Sequence, residues 1–477
     1  MNLRKITLTD FRCFDSLTLN LHEKLTVLVA ENAGGKTSIL DAVSRGLAAW
    51  NQYLDSAEQR LPLLLLDDGD LRVSPSKNNR GREIAKLADA AYVALVMDDG
   101  SDTLSWDLVH KLHEDVVLSR EFGDSQLKSR ANLVRDAIHD GDTEIPLPVF
   151  AYYGIHRGHV TQEIPDRIHE PKVDYTRRTA ALVDALDPNL RDFSEIIRWF
   201  KEASLDELQW GQDRVDEAGY PTDDETYRGA LPHVRRAFEA VLGDRVSNPR
   251  IDRISKKFTV DFRGQDGTVT PLRLDQLSQG YASVLALVLD LAQRLAIANS
   301  HFNAATEHDY REGVEEIINP LAAPAIVLID EVDLHLHPSW QQRVLADLMR
   351  AFPGTQFIVT THSPQVLTTV SRENIRILGR NSAGNWEAVL PPQEIKGVES
   401  AVALIDVMGV NPIPPVDEAK WLGDYTAKIE NGTHEDAEGR ALHDKLVDLY
   451  GPQHPIILDA DRLIRFQGFK LRKGTGP

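Results

Sequence analysis

The chain has 477 residues, 42% of them hydrophobic and 26% charged, with a net charge of −20. That is enough apolar material for a large core or several domains, and an acidic balance that disfavours nucleic-acid binding through the overall field. Cys13 is the single cysteine, which excludes a disulfide framework and a cysteine zinc site and fits a reducing compartment.

Residues 3–8 (Leu3, Ile6, Leu8) alternate like a strand, which is not the layout of a signal peptide. Residues 17–21 and 25–29 read as two more strands. A helix is expected from Lys36 to about Trp50, with Ile39, Leu40, Val43 and Leu47 on one face. Residues 55–81 are rich in Asp, Asn, Gly and Pro and read as a mobile loop. The stretch 82–109 alternates around Asp98-Asp99-Gly100, a hairpin signal. Residues 147–153 read as a buried strand. A helical pattern then covers 188–242, with a polar break at 211–224.

Residues 258–262 and 268–274 form a hairpin through Gln265-Asp266-Gly267, and a long helix starts near Gln279. Its apolar stretch 282–298 is broken by Asp290, Gln293 and Arg294, so no membrane span is expected. The runs 326–329 and 356–359 are short and apolar, the pattern of parallel strands covered on both faces. Strands followed by helices at both ends imply an α/β core split by a long middle section.

Ala30-Glu31-Asn32-Ala33-Gly34-Gly35-Lys36-Thr37 follows the strand at 25–29 and opens a helix. In that context a phosphate cradle is expected, formed by Asn32, Ala33, Gly34, Gly35 and Ser38 together with Lys36 and Thr37. Lys36 reaches the terminal phosphates of ATP, and Thr37 offers its hydroxyl to Mg²⁺. Ala30 and Ala33 stand where such loops commonly carry glycine. Alanine tolerates positive φ poorly, so binding is expected to survive while turnover is slow.

Ala-Ile-Val-Leu-Ile-Asp-Glu at 325–331 is an apolar strand ending in two carboxylates. Asp330 is expected in the Mg²⁺ shell, and Glu331 as the base that orients the attacking water. Taken alone, the pair reads equally as an acidic turn after a buried strand. His362, in Thr360-Thr361-His362-Ser363-Pro364, stands at a strand end where it could touch the γ-phosphate. By itself it reads as a satisfied structural histidine, as do His335 and His337, which lack a third metal partner at suitable spacing. Leu277-Ser278-Gln279-Gly280 opens the long helix and resembles the ABC signature, which implies a serine and a helix N-terminus gripping a γ-phosphate held by the opposite protomer. The order cradle, signature, carboxylate pair and histidine carries more than any of the four motifs.

These residues resemble the RecF/SMC-like branch of ABC ATPases, as does the opening Asp10-Phe11-Arg12-Cys13-Phe14. The resemblance implies an α/β ABC-type P-loop ATPase head with a mixed sheet, an antiparallel β subdomain and a helical insertion. It also implies that Arg12 contacts the nucleotide. The run from Asp330 through Val332, Asp333 and Leu336 to His337-Pro338 resembles OLD-like and Septu-type ATPases rather than transporters. Four further segments resemble PtuA-type ATPases of Septu systems and some retrons. They are Tyr152-Tyr153-Gly154-Ile155-His156-Arg157, Val173-Asp174-Tyr175, Pro338-Ser339-Trp340-Gln341-Gln342-Arg343 and residues 360–367.

That resemblance implies a homo-oligomer with ATP at its interface, paired with a separate HNH nuclease (PtuB-like). The single cysteine and the expected lack of a signal peptide and membrane span set the expected location as cytoplasmic. In retrons a reverse transcriptase and its RNA–DNA hybrid join them against phage. The expected organisation is a core of 1–154 and 251–390, a mainly helical insertion of 155–250, and a helical extension of 391–477 with a basic tail. OLD nucleases carry a Toprim domain after the histidine, but Glu438-Gly439 lies in a charged helical stretch and only a short tail follows Asp459-Ala460-Asp461. No nuclease of the chain's own is expected.

Basic stretches at 77–82 and 253–257 read as solvated faces. The tail mixes Arg462, Arg465, Lys470, Arg472 and Lys473 with Phe466 and Phe469, and reads equally as a solvated face or as a dock for backbone phosphates. A stand-alone DNA-repair clamp is the alternative function, and it predicts salt-sensitive duplex binding.

Overall fold

The computed structural model describes residues 1–54, 64–77, 83–100, 102–112, 124–142, 145–157, 173–188, 193–212, 229–300, 302 and 319–474. It divides into two compact units, Met1–Met408 and Gly409–Pro477.

Unit one is organised by a six-stranded sheet. Its strands are β3 (Leu25–Val29), β8 (Val149–Tyr153), β12 (Ala325–Ile329), β13 (Thr355–Thr360), β14 (Ile375–Arg380) and β15 (Trp386–Val389), in the order β15-β14-β3-β13-β12-β8. All are parallel except β15, which runs antiparallel to β14. Every residue of β3, β8, β12 and β13 is buried, which is why these segments read as mostly apolar runs without alternation. β14 and β15 escaped the sequence reading because they are only partly buried and β14 keeps polar residues such as Arg376 and Arg380.

A second sheet joins β1 (Asn2–Phe11), β2 (Phe14–Asn20), β6 (Ala90–Asp98) and β7 (Thr103–Lys111), in the order β2-β1-β6-β7. It is antiparallel throughout, and the hairpin at 98–103 falls where Asp98-Asp99-Gly100 placed it. Gln356, wholly buried on β13, ties the two sheets together. Its Oε1 accepts from the Leu3 N–H at 2.7 Å, while Nε2 donates to the Leu3 and His22 carbonyls at 2.8 and 2.9 Å.

The expectation of a mobile loop at 55–81 is corrected for its second half. Residues 68–70 form a 3-10 turn capped by Asp67, and β4 (Val73–Lys77) pairs with β5 (Glu83–Leu87). Asp70 is buried and accepts from Arg12 and Arg45, an anchor that residue composition does not reveal. Residues 55–63 and 78–82 lie outside the described residues, as does most of the expected break at 211–224.

The middle section supplies the helices α2 (Asp124–His139), α3 (Phe193–Gln212) and α4 (Leu231–Leu242). A small sheet follows, made of β9 (Val246–Ile251), β10 (Phe258–Arg263) and β11 (Val269–Arg273). The first helix, α1 (Lys36–Leu54), runs four residues beyond Trp50. The long helix α5 (Gln279–Ala298) is long and apolar enough to cross a membrane, yet 89% of its most apolar stretch is buried inside the protein. It packs on α4 and β8 as a core helix.

Unit two is a set of helices, Asp417–Glu430, Ala437–Tyr450 and Pro455–Gly474, closed over Tyr425, Ile429, Leu446, Ile457 and Ala460. Glu438 and Gly439 sit in the first turn of a helix, and Asp459 and Asp461 lie within another.

Candidate nucleotide site

Four loops leave the carboxyl ends of β3, β12, β13 and β8 along one edge of the parallel sheet, the edge where α/β folds build ligand sites. The loop after β3 turns twice through left-handed backbone, at Ala33 (φ 62°) and Gly35 (φ 81°). Gly34 and Gly35 have no room for a side chain. A Cβ on Gly34 would lie 2.5 Å from the Ala30 Cβ, and one on Gly35 would lie 2.3 Å from the Phe14 ring. Ala33 carries the strain foreseen for an alanine at positive φ, about 1–2 kcal/mol. Ala30 instead fills the inside of the loop with its methyl and is 8% exposed.

Lys36 begins α1 and turns its ammonium back onto the loop, donating to the carbonyls of Ala30 at 3.0 Å and Glu31 at 3.2 Å. Burial lowers its pKa, against the pull of nearby Asp330 and Glu331. Its hydrogen-bond partners are neutral carbonyls, and among the described residues no anion is in contact with this buried cation.

From the neighbouring strands, Asp330 receives two hydroxyls on separate oxygens: Thr37 Oγ1 at 2.8 Å and Thr360 Oγ1 at 2.6 Å. Thr360 Oγ1 in turn accepts the Glu331 N–H at 2.7 Å. A threonine hydroxyl beside a carboxylate is an all-oxygen donor set that suits Mg²⁺. Glu331 is half-buried with left-handed backbone (φ 47°), and among the described residues its carboxylate takes no hydrogen bond. His362 stands half-buried two residues beyond Thr360. Its neighbours are fixed: Thr361 donates to Asp333, and Ser363 donates to Gln341 at 2.8 Å.

Arg12 sits elsewhere in the network. Its guanidinium donates to Asp70 at 3.0 Å and to Asp41, one turn along α1 from Thr37, and its own backbone is left-handed (φ 50°). Burial pulls its pKa down, but Asp41 and Asp70 together raise it. Burial and the same Asp41 push the Tyr152 hydroxyl well above its usual range.

The signature segment is not hydrogen-bonded to its own cradle among the described residues. Ser278 caps α5 without spending its side chain, and Ser278 and Gln279 are exposed while Leu277 is half-buried. Gly280 is buried against the loop that follows Glu331, where an added Cβ would meet the His335 carbonyl oxygen at 2.4 Å. Asn32, Ala33 and Thr37 are exposed, and Ser38 is half-buried. His337 accepts from the Ser339 N–H at the start of helix Pro338–Gln341, so it acts as a helix cap.

Sequence reasoning missed Thr360, Asp41, Asp70 and Arg157. Only Thr360 and Arg157 lay inside motifs already singled out, and neither position announces its partner.

The family model described as "AAA domain, putative AbiEii toxin, Type IV TA system" matches residues 114–368, more than half of the chain. The chain belongs to that family. A second model, described as "AAA domain", matches residues 5–150, the part that carries the cradle. The chain is therefore an AAA-class P-loop ATPase.

It is homologous to "Retron Vc95 probable ATPase" of Vibrio cholerae serotype O1 biovar El Tor, at 26% identity over 79% of this chain and 73% of that protein. "Retron Ec83 probable ATPase" of Escherichia coli is 25% identical over 96% of this chain and 86% of that one. "Septu protein PtuA" of Bacillus mycoides (strain KBAB4) is 32% identical over 31% of this chain and 18% of its own length. Among solved structures, an SMC head domain from Thermotoga maritima matches 82% of this chain and 99% of its own, at 15% identity and a TM-score of 0.40.

Proposed function

We propose that this chain is a cytoplasmic ATPase that dimerises head to tail over ATP and thereby controls a partner HNH nuclease in an anti-phage system of the Septu or retron kind. The observation that supports it best is the joining of cradle and carboxylate strand through Thr37, Asp330 and Thr360, with Glu331 beside them and Ser278 left exposed. In this reading Gly34 and Gly35 admit phosphates close to backbone N–H groups, together with Asn32, Ala33 and Ser38. Lys36 gives up neutral carbonyls for phosphate charge. Thr37 and Asp330 hold the divalent cation.

ATP with Mg²⁺ supplies a labile terminal phosphoanhydride and the charge that brings two protomers together. Glu331 takes the proton of the attacking water, and His362 orients the terminal phosphate. Leu277, Ser278, Gln279 and Gly280 close the site of the neighbouring protomer through the α5 N-terminus. Arg12 reaches the nucleotide from its Asp41–Asp70 anchor. Residues 1–154 and 251–390 serve as the ATPase core, 155–250 as an insertion and 391–477 as an extension whose basic tail meets partners. In a retron setting these partners include a reverse transcriptase and its RNA–DNA hybrid.

Mixing two dead variants, Lys36→Met and Ser278→Arg, tests the shared site. A mixed dimer holds one intact site, so turnover should return to about a quarter of wild type at equal mixing. No recovery contradicts head-to-tail sharing. Retention of a genomically adjacent HNH protein on purification supports the nuclease role. Salt-sensitive duplex binding by the chain alone supports the repair-clamp alternative instead.

A further inference from the structure

Just beyond β8 the chain buries an arginine with unusual partners. Arg157 is 8% exposed, and its guanidinium donates from Nη1 to the carbonyls of Gly154 (3.1 Å) and Asp330, and from Nη2 to the carbonyl of Glu331. Among the described residues no carboxylate oxygen completes the set. Burial pushes this guanidinium down to about 10, against the pull of Asp330, Asp333 and Glu331. A cation so placed is costly unless its donors are used, and here two of its nitrogens are spent on the main chain of the two acidic residues.

The conformation it grips is itself strained. Glu331 has φ 47°, a region that a residue with a Cβ enters only when its surroundings hold it there. It is held from both sides. Its N–H donates to Thr360 at 2.7 Å, and its carbonyl accepts from Arg157. Where the Glu331 side chain starts, and so where its carboxylate can reach, follows from that backbone.

The segment also touches the helix that the signature opens. Ser283 Oγ on α5 donates to the Arg157 carbonyl at 3.3 Å. The Tyr153 hydroxyl donates to Asp290, also on α5, at 2.8 Å.

We propose that Arg157 is a positioning residue for hydrolysis, fixing the strained turn that aims Glu331 at the attacking water. This rests on the reading of Glu331 as the base. Arg157 then acts through Glu331 and leaves ATP binding to Lys36 and Thr37. A residue that merely braces β8 would instead weaken folding and binding together.

The test is a double-mutant cycle of Arg157→Lys with Glu331→Gln, measuring ATP affinity with a fluorescent analogue and hydrolysis in single turnover. Lysine keeps the charge but cannot span two carbonyls as the guanidinium fork does. Arg157→Lys should lower the hydrolysis rate by about 10- to 100-fold while the dissociation constant moves by less than about threefold. In the Glu331→Gln background it should cost little more, because the group it positions is already gone. Losses that multiply, or affinity that falls as far as rate, would overturn the proposal. Arg157→Gln is the second variant, and if it does not fold, the lysine cycle decides. A Glu331→Gln chain that hydrolyses at the wild-type rate would defeat the assignment of Glu331 itself, a failure distinct from that of Arg157.

Discussion

Replacing Gly280 with alanine should injure the molecule at the joint between the signature helix and the loop after Glu331. The added methyl carbon would lie 2.4 Å from the His335 carbonyl oxygen, 3.2 Å from its carbon and 3.6 Å from the Leu336 Cα. The offended atoms are backbone, so relief to 3.0 Å demands that helix and loop part by about 0.6 Å. The loop is not free to give. Leu334 N–H bonds to the Glu331 carbonyl at 3.0 Å, Gln341 holds the Leu336 carbonyl at 3.0 Å, and Thr361 holds Asp333.

Overpacking of this kind costs about 1–3 kcal/mol. Alanine recovers at most about 1 kcal/mol of helix propensity, and less in a first turn. The net expectation is a loss of about 1–2 kcal/mol, read from the urea unfolding midpoint at unchanged slope. Because the same loop begins at Glu331, the hydrolysis rate should fall further than ATP affinity. Full stability with wild-type turnover would refute both the contact and its link to the site.

Gln356→Leu should cost roughly 3–5 kcal/mol, since it leaves the Leu3 N–H and the Leu3 and His22 carbonyls without their partner in or near the core; chemical unfolding measures it. His233, 6% exposed on α4, has its pKa pushed down to about 4 by burial, with Arg236 adding to the effect. Its folded pKa lies below the unfolded value, so its neutral form contributes stability above about pH 6.5 that is lost as pH falls toward 4. The loss amounts to about 3 kcal/mol. His233→Leu should flatten that part of the stability–pH curve, and an unchanged curve would remove His233 from the acid response.

The parallel core was legible because burial on both faces removes the polar alternation of a half-exposed strand. The short apolar runs in β3, β8, β12 and β13 are too brief for a helix and too apolar for a surface loop. The strands β14 and β15 were not legible, since partial exposure restores mixed composition. The turn at 68–70 was hidden for a different reason. Asp70 looks like any loop aspartate until the fold brings Arg12 and Arg45, 58 and 25 residues away in sequence, against it.

At the site, the contact between Thr37 and Asp330 was foreshadowed because both were expected around one Mg²⁺ and both follow strands of one sheet. The part played by Thr360, which serves both Asp330 and Glu331, depends on the register of β12 against β13. Register is a pairing fact, which a single segment does not contain. Arg157 was noticed for its motif, but its partners are carbonyls, and no pattern of side chains encodes those.

The central claim is that ATP joins two copies of this chain across a shared site. The mass of the Glu331→Gln variant in solution, by sedimentation with and without Mg-ATP, tests it most directly. The account predicts a dimer or a larger even assembly that forms or tightens with ATP, persists because hydrolysis is blocked, and is lost when Ser278→Arg is added. The same mass with and without ATP, in a chain shown to bind the nucleotide, would contradict it.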